Sequence, residues 1–399
     1  MSDAERTSCP FTANQDDRKS AQLASQNLLK IEPGVELIGS FGFAREILRS
    51  PKVKQNGAGA DQVDVGNPEH VPVFYLDGEA HKRRRAAITK FFTPKTIQSR
   101  YRAVMERMTD VLMQRLQRQG RIQLDDIAFE LAISVVSDIV GLESQPSKMA
   151  PRITDLLEAT FVDVRGFGRV VKRVKESWYG LKFYLNDVRP VVRARRKQRR
   201  DDIISQVIDK GYSDTAIMIE CLTYATAGMV TTREFIVMCC WHMFDHPALR
   251  ARFLGADEEG QFLILNEILR LEPVAGYVYR RVNQALDSSV RGGAVPAGSS
   301  FVVDMRAVNS DAAMVGECPF AVDPERAKRI NHNGTFMSFG DGAHHCPGWQ
   351  VALNETRVFV DRLLRIPGIK LERAPDMRWN AALASYELRH AIVTCDKLS

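Results

Sequence analysis

Apolar residues recur every three or four positions through most of the chain between about residues 80 and 250. This spacing places apolar side chains on one face of an α-helix. It predicts helices over residues 85–92, 101–119, 127–140, 150–161, 176–200 and 214–244. Around residues 285–305 short apolar runs alternate with glycine-rich turns, which indicates strands. A last helix over 348–364 and a small sheet over 370–396 complete a mainly α chain with minor β-structure.

The composition of the 399 residues is that of an ordinary globular protein, with 45% hydrophobic and 26% charged residues. The 7 cysteines are few and irregularly spaced, so we expect a reducing, cytoplasmic location rather than a disulfide scaffold. No apolar stretch reaches the ~20 residues that a membrane-spanning helix needs. We therefore expect one domain over residues 1–399, with 1–25 flexible and no membrane partner.

The net charge of +6 comes partly from two basic runs, at residues 81–85 and 193–200. The second run ends a predicted helix, where cations interact favourably with the helix dipole. Neither run interleaves aromatic residues as a groove for single-stranded nucleic acid would. We expect no nucleic-acid partner.

The segment FMSFGDGAHHCPGW at residues 336–349 carries the most chemical information. Cys346 lies just before a predicted helix, whose dipole and unpaired N–H groups would lower the pKa of its thiol. Gly340 and Gly342 would let the backbone approach a flat cofactor closely, and Phe339 could pack against its face. The pattern is typical of a loop that presents a soft metal ligand.

Three other interpretations of this loop remain open from the residues alone. The two glycines around Asp341 resemble part of a phosphate loop, but the third glycine and the leading strand are missing. His344, His345 and Cys346 could indicate zinc, although adjacent residues rarely converge on one ion. Cys346 could also be a buried small apolar residue.

The spacing Phe339-x-x-Gly342-x-x-x-Cys346-x-Gly348 resembles the haem-binding loop of the cytochrome P450 family. The resemblance implies that the Cys346 thiolate is the proximal ligand of a haem b iron (iron protoporphyrin IX). It also implies that Gly340 and Gly348 lie against the cofactor and that His344 meets a haem propionate.

Further family motifs follow in the expected order. Three residues resemble the family's structural ion-pair set, namely Glu267, Arg270 and Arg326. His81 and Arg85 resemble a pair that binds haem propionates, for which charge-assisted hydrogen bonds are suited. Arg280 matches a further propionate ligand by its spacing from Arg270, and its neighbour Arg281 remains an alternative.

Residues 227–232 resemble the family's oxygen-activating helix, with Ala227 beside the cofactor and the catalytic positions at Gly228, Thr231 and Thr232. A Thr hydroxyl can bond the carbonyl four residues back and bend the helix. Val230 departs from the pattern, because an acid normally stands there. We hypothesise that Thr231 and ordered water move protons, with Glu234 as the nearest replacement carboxylate.

The resemblance implies the family's mostly α triangular-prism fold and a monooxygenase of the soluble bacterial type. It would insert one oxygen atom from O2 into an apolar small molecule, with electrons from a separate ferredoxin and ferredoxin reductase. No flavin or nicotinamide is expected on this chain. By family position, the substrate pocket would include Ala227, Val274, Tyr277 and Val278. The alternatives are a peroxide-driven or oxidative-coupling haem-thiolate enzyme, and a non-catalytic haem-thiolate binding protein.

Overall fold

The computed structural model describes residues 15–24, 31–56, 67, 70–161, 168–380 and 384–397. The helices in chain order are α1 (Ala21–Ala24), α2 (Phe41–Arg49), α3 (Gly78–Thr89), α4 (Pro94–Thr96), α5 (Arg102–Gln119), α6 (Leu124–Val140), α7 (Pro146–Phe161), α8 (Gly168–Phe183), α9 (Arg189–Lys197), α10 (Ile203–Asp209), α11 (Asp214–Tyr224), α12 (Thr231–Asp245), α13 (Pro247–Gly255), α14 (Glu258–Leu271), α15 (Met305–Asn309), α16 (Ala312–Val315), α17 (Arg326–Arg329) and α18 (Trp349–Leu364). The flexibility predicted for residues 1–25 falls mostly outside the described residues.

The strands are short and form small sheets. They are β1 (Val35–Ile38), β2 (Val53–Asn56), β3 (Arg121–Gln123), β4 (Tyr277–Val282), β5 (Leu286–Ser288), β6 (Gly293–Val295), β7 (Ser300–Asp304), β8 (Lys370–Arg373), β9 (Asp376–Asn380), β10 (Ser385–Arg389) and β11 (Ile392–Thr394). The predicted class, mainly α with minor β, is confirmed.

The chain forms two compact units. The first unit comprises residues 1–56, 256–345 and 384–386. Its sheet has the order β1-β7-β4-β2, with β1 parallel to β7 and the other pairs antiparallel. Alternate residues of a strand face opposite sides, so β7 turns Phe301 and Val303 into a core that also holds Phe43 and Ile47 of α2.

The second unit comprises residues 57–255, 346–383 and 387–399. Within it α12 packs against α6 and α18, and α18 packs against α5. Most positions of α12 are buried, from Thr232 to Met243. A helix that is apolar on most sides belongs in the interior, which explains why its pattern shows little amphipathicity.

Helix boundaries differ from the sequence prediction in two informative places. The helix predicted from 176 begins at Gly168 in α8, and a π-helical turn at Tyr184–Val188 separates it from α9. The helix predicted over 214–244 is likewise interrupted by a π-helical segment at Ala225–Val230. Hydrophobic spacing does not distinguish a single widened turn from regular α-helix, and such turns are frequent at functional sites.

The described cysteines include five free thiols, at Cys221, Cys239, Cys240, Cys346 and Cys395. Cys318 is disulfide-bonded. Across the described part of the chain, every helix is too short or too polar to cross a membrane.

Candidate active site

Cys346 lies in the second unit, immediately before the N-terminus of α18. Its thiol is free and only partly exposed. Burial raises the pKa of the Cys346 thiol, while a hydrogen bond from the Gly348 N–H and the charge of Arg85 act in the opposite direction. A Cβ on Gly348 would lie 3.9 Å from the Phe92 ring and 4.0 Å from the Cys346 sulfur. The thiol therefore sits in a confined place with two features that favour its charged form.

Two cationic positions of α3 lie on one helix face, because His81 and Arg85 are four residues apart. His81 is 3% exposed. Arg85 is half-buried, and burial lowers the pKa of its guanidinium while the Cys346 charge opposes the shift. Arg84 is bound elsewhere, since its Nη2 donates to Glu220 Oε1 at 2.9 Å.

The residues just before Cys346 belong to the first unit, where α2 and the loop at 339–345 are in contact. Gly342 has φ +67°, and a Cβ there would lie 2.3 Å from the Leu48 carbonyl oxygen, so only glycine fits. Asp341 accepts a hydrogen bond from the Gly342 N–H at 2.7 Å and one from Arg49 Nε at 2.8 Å. These contacts hold the loop that carries three predicted cofactor residues, Phe339, Gly340 and His344.

Arg280 and Arg281 face opposite sides of β4. Arg280 is 5% exposed, and its Nη1 donates to Gln55 Oε1 at 2.5 Å and to the Tyr279 carbonyl. Arg281 is exposed. Of the two, Arg280 is the buried cation, and the assignment of a propionate to it is a proposal.

Glu267, Arg270 and Arg326 are brought together in the first unit. Arg270 donates from Nε and Nη2 to the two oxygens of Glu267 at 2.8 Å each, and Arg326 Nε donates to Oε1 at 3.0 Å. Arg270 and Arg326 also donate to main-chain carbonyls, including those of Asn309 and Val315. Because every charge is paired and hydrogen-bonded, the burial of the set is tolerated.

The π-helical segment between α11 and α12 has an open and a closed face. Ala227 is exposed and Thr231 is half-buried, and the Thr231 hydroxyl donates to the Ala227 carbonyl at 2.7 Å. Gly228 lies on the closed face, where a Cβ would approach Val136 of α6 to 2.9 Å. Gly228 thus serves close packing of two helices, and Thr232 is buried beside it.

The structure leaves Glu234 no role as a replacement proton carrier. Its carboxylate is fully buried and accepts hydrogen bonds from the Leu388 N–H at 2.7 Å, from Arg389 Nη1 at 2.7 Å and from Arg233 Nε at 3.0 Å. Two arginines and a main-chain N–H thus engage both of its carboxylate oxygens. The hypothesis that Glu234 replaces the acid missing at Val230 is therefore not supported by the geometry.

The predicted pocket residues of the first unit have mixed surroundings. Val274 is buried at 6% exposure, and Val278 packs against the core of that unit. The Tyr277 hydroxyl accepts a hydrogen bond from Arg306 Nη2 at 2.9 Å. Their role toward a substrate stays a prediction.

Sequence reasoning missed Glu355, in the middle of α18. Its side chain is 1% exposed, and no hydrogen-bond partner for either carboxylate oxygen lies among the described residues. Burial raises the pKa of Glu355 to about 8. The sequence does contain an indication of this burial. Glu355 lies on the same helix face as the apolar residues Val351 and Val358, four residues after one and three before the other.

The residues of the second unit fit a haem. Cys346 is a single sulfur donor just before a helix N-terminus, and His81 and Arg85 carry N–H groups suited to carboxylates. The small side chains of Ala227 and Thr231 leave an open helix face. Zinc fits less well, because no group of three His, Cys, Asp or Glu side chains gathers among the described residues.

Comparisons with known proteins find similarity to cytochrome P450 proteins. Residues 263–371 match the family model for cytochrome P450. Cytochrome P450 107B1 of Saccharopolyspora erythraea is 27% identical over 366 residues, which cover 86% of this chain and 85% of that protein. Cytochrome P450 105C1 of a Streptomyces species is 31% identical over 227 residues, which cover 56% of this chain and 55% of that protein.

Solved structures share the fold. The crystal structure of CalO2 superposes with a TM-score of 0.75 at 19% identity, covering 94% of each chain. Substrate-free CYP109E1 of Bacillus megaterium superposes with a TM-score of 0.75 at 19% identity, covering 94% of this chain and 97% of that one.

The fold is that of solved cytochrome P450 structures. Residues 263–371 match the cytochrome P450 family model, and over most of its length the chain is similar to bacterial cytochrome P450 proteins, a family that binds haem.

Proposed function

We propose that this chain inserts one oxygen atom from O2 into an apolar small molecule, with haem b held by the Cys346 thiolate. The observation that carries the proposal is the partly buried, free Cys346 thiol beside the Gly348 N–H and Arg85. When bound, the haem supplies the binding and reductive activation of oxygen, and thiolate ligation favours cleavage of the O–O bond.

Cys346 must lose its proton to act as a ligand. The Gly348 N–H and the positive charge of Arg85 oppose the effect of burial and stabilise the thiolate. The dipole of α18 adds to both effects, because Cys346 lies at its positive end. In this proposal Arg85 has two tasks, since with His81 it also forms charge-assisted hydrogen bonds to the haem propionates.

Arg280, His344, Phe339, Gly340 and Gly348 complete the proposed set of cofactor contacts. Arg280 is preferred to Arg281 because Arg280 is buried, whereas Arg281 is exposed to solvent. Support for the loop residues comes from the fit of Gly342 against the Leu48 carbonyl, which admits no side chain.

Thr231 is the proposed catalytic hydroxyl. Its O–H donates to the Ala227 carbonyl, so its oxygen lone pairs are available to hold a water molecule on the open helix face. Val230 has no proton to transfer, and Glu234 is engaged by two arginines. Proton delivery through Thr231 and water is therefore the proposed route.

The lack of an acid at Val230 also supports a second candidate activity, that of an enzyme driven by hydrogen peroxide. Peroxide already carries the two protons and two electrons that O2 must acquire, so the chemistry would tolerate the valine at position 230. The engagement of Glu234 removes the nearest carboxylate that could have compensated.

The absorption spectrum of the purified, dithionite-reduced protein under carbon monoxide tests the haem ligation. We expect a strongly red-shifted Soret band that is absent in Cys346→Ser. Cys395→Ser is the matched control, because Cys395 is also a free, partly exposed cysteine. A Soret band that survives in Cys346→Ser, or a protein without haem, would contradict the proposal.

Steady-state oxidation of apolar compounds distinguishes the two candidate activities. A ferredoxin with its reductase and NADPH should support turnover if O2 is the oxidant, whereas hydrogen peroxide alone should suffice in the second candidate. Thr231→Ala should lower the yield of product per electron by roughly a hundredfold, the lower end of what one positioned proton-transfer group contributes. An unchanged yield would exclude the Thr231 route.

The proposed partners are a separate ferredoxin and its reductase. The mildly basic chain supports an acidic electron donor, because opposite charges speed encounter. The proposal includes a cytoplasmic location: five of the described cysteines are free thiols, as a reducing compartment favours, although Cys318 is disulfide-bonded.

A further inference from the structure

Helix α8 and the turn after it carry an apolar stripe that faces solvent. Its members follow one another at spacings of one to four residues, and each is between 42% and 64% exposed: Val170, Val171, Val174, Trp178, Leu181 and Leu185. Residues three and four apart lie on the same helix face, so these side chains form one continuous surface, here called the α8 stripe. Isolated exposed apolar residues are common, but a continuous row with a tryptophan indicates an interaction site.

The opposite face of α8 is attached to the second unit. Gly180 and Phe183 are buried, and a Cβ on Gly180 would lie 4.0 Å from Leu156 of α7. The helix is therefore anchored on one side, and the α8 stripe is the outward surface of a packed element.

The charges around the α8 stripe are positive. Exposed basic side chains lie beside it, namely Arg173, Lys175 and Lys182. The Lys182 ammonium lies 5.6 Å from the centre of the Trp178 ring. The acid of this helix, Glu176, is half-buried and pairs with Lys172 at 3.7 Å, on the side turned away from the stripe. The outward face of α8 thus combines apolar and cationic groups without an opposing carboxylate.

We propose that the α8 stripe binds the surface of an anionic lipid bilayer. A helix with Trp, Val and Leu on one face and Lys and Arg at its borders lies in the plane of the membrane interface. Its long basic side chains reach the headgroups while their stems cover apolar surface. Each basic residue strengthens binding by about fivefold at an anionic surface.

A protein partner is less well matched to this surface. A stable protein interface buries about 800 Å² on each side, with charged residues depleted at its centre. The α8 stripe is one helix wide and is bordered by flexible basic side chains. A bilayer requires only that one face of the helix be inserted.

Co-sedimentation of the haem-loaded protein with vesicles tests the proposal. We expect the protein to pellet with vesicles of phosphatidylcholine and phosphatidylglycerol in equal parts, and to remain largely in solution with phosphatidylcholine alone. Binding should weaken as salt is raised, because screening acts on exposed charges.

Two double variants and one control assign the binding to the α8 stripe. Val174→Ser with Trp178→Ser, and Lys175→Glu with Lys182→Glu, should each reduce the partition coefficient by more than about tenfold. Val111→Ser on α5 is the control, since Val111 is an exposed valine of another helix, at 53%. The ratio of Soret absorbance to protein should be unchanged in all variants, which shows that they fold and separates this test from the haem assignment.

Three results would overturn the proposal. The wild-type protein could fail to pellet with the anionic vesicles, or the two stripe variants could pellet as well as the Val111→Ser control. A dimer in vesicle-free solution that Val174→Ser with Trp178→Ser converts to a monomer would instead assign the stripe to a second copy of this chain.

Discussion

Two buried glutamates of the second unit, Glu234 in α12 and Glu355 in α18, stand in opposite environments. The two helices pack against each other. Glu234 receives hydrogen bonds from Arg233, Arg389 and the Leu388 N–H. Glu355 has no hydrogen-bond partner among the described residues. The same side chain is thus a hydrogen-bonded structural carboxylate at one position and, at the other, a buried group whose pKa is raised because no partner offsets its burial.

The contrast also bears on the missing acid at Val230. The carboxylate nearest to it in sequence, Glu234, is locked in a structural role, and the carboxyl group that holds its proton near neutral pH belongs to another helix. Proximity along the chain is therefore a poor guide to the environment in which an acid is buried.

Neutralising Glu234 should have the largest effect. Glu234→Gln leaves Arg233 and Arg389 without their carboxylate and should destabilise the protein by about 3–5 kcal/mol, as expected for one partner removed from a buried ion pair. Urea unfolding of the haem-loaded protein measures the change. Glu158→Gln is the control, because Glu158 is exposed on α7, and an equal effect in the two variants would refute the contrast.

Neutralising Glu355 should stabilise the protein instead of destabilising it, and the size of this gain should depend on pH. Its pKa rises from 4.5 to about 8 on folding, so the folded state binds a proton that the unfolded state releases. Wild-type stability should therefore fall as pH rises from about 5 to 8, a loss of about 3 kcal/mol at pH 7. Glu355→Gln should remove this dependence and be the more stable protein at pH 8.

Urea midpoints of the wild type and Glu355→Gln at pH 5 and pH 8 test this expectation. The two proteins should differ little at the lower pH, where both carry a neutral side chain at position 355 in the folded state. If the urea midpoints of the two proteins changed with pH in parallel, the Glu355 carboxyl group would have a stabilising partner. Glu355 and Glu234 would then not differ as described.

Replacing Arg389 by Lys should have the smallest effect. The ammonium keeps the charge beside Glu234, but loses the guanidinium geometry that also donates to the Leu388 carbonyl at 2.8 Å. We expect destabilisation of about 1 kcal/mol, the size of one hydrogen bond. Arg389→Met should lose several times more in the same urea measurement, and equal losses in the two variants would show that charge is not what Arg389 contributes.

Much of the helical architecture could be predicted from apolar spacing. The helices α5, α6, α7 and α18 lie within a few residues of their predicted ranges. The π-helical turns could not be predicted, because one additional residue in a turn leaves the surrounding apolar pattern unchanged.

The candidate site was predictable where a motif is local and less so where burial decides. Cys346 and Gly342 follow from loop spacing, and the Gly342 contact with the Leu48 carbonyl supplies its physical reason. Sequence spacing does not distinguish Arg280 from Arg281. The structure does, because the two side chains lie on opposite faces of β4 and only that of Arg280 is buried. Apolar stretches along the sequence show only whether a helix could span a bilayer, whereas the α8 stripe depends on the solvent exposure of Trp178.

The sequence by itself determined the mainly helical class, the position of Cys346 in a glycine-rich loop before a helix and the resemblance to the cytochrome P450 family, because each depends on residue types at short spacing. Tertiary structure alone decided the state of Glu234 and Glu355, the closed face at Gly228 and the outward face of α8. These properties depend on which groups surround a side chain and on how much water reaches it. Segments distant in sequence supply those surroundings, as β10 does for Glu234.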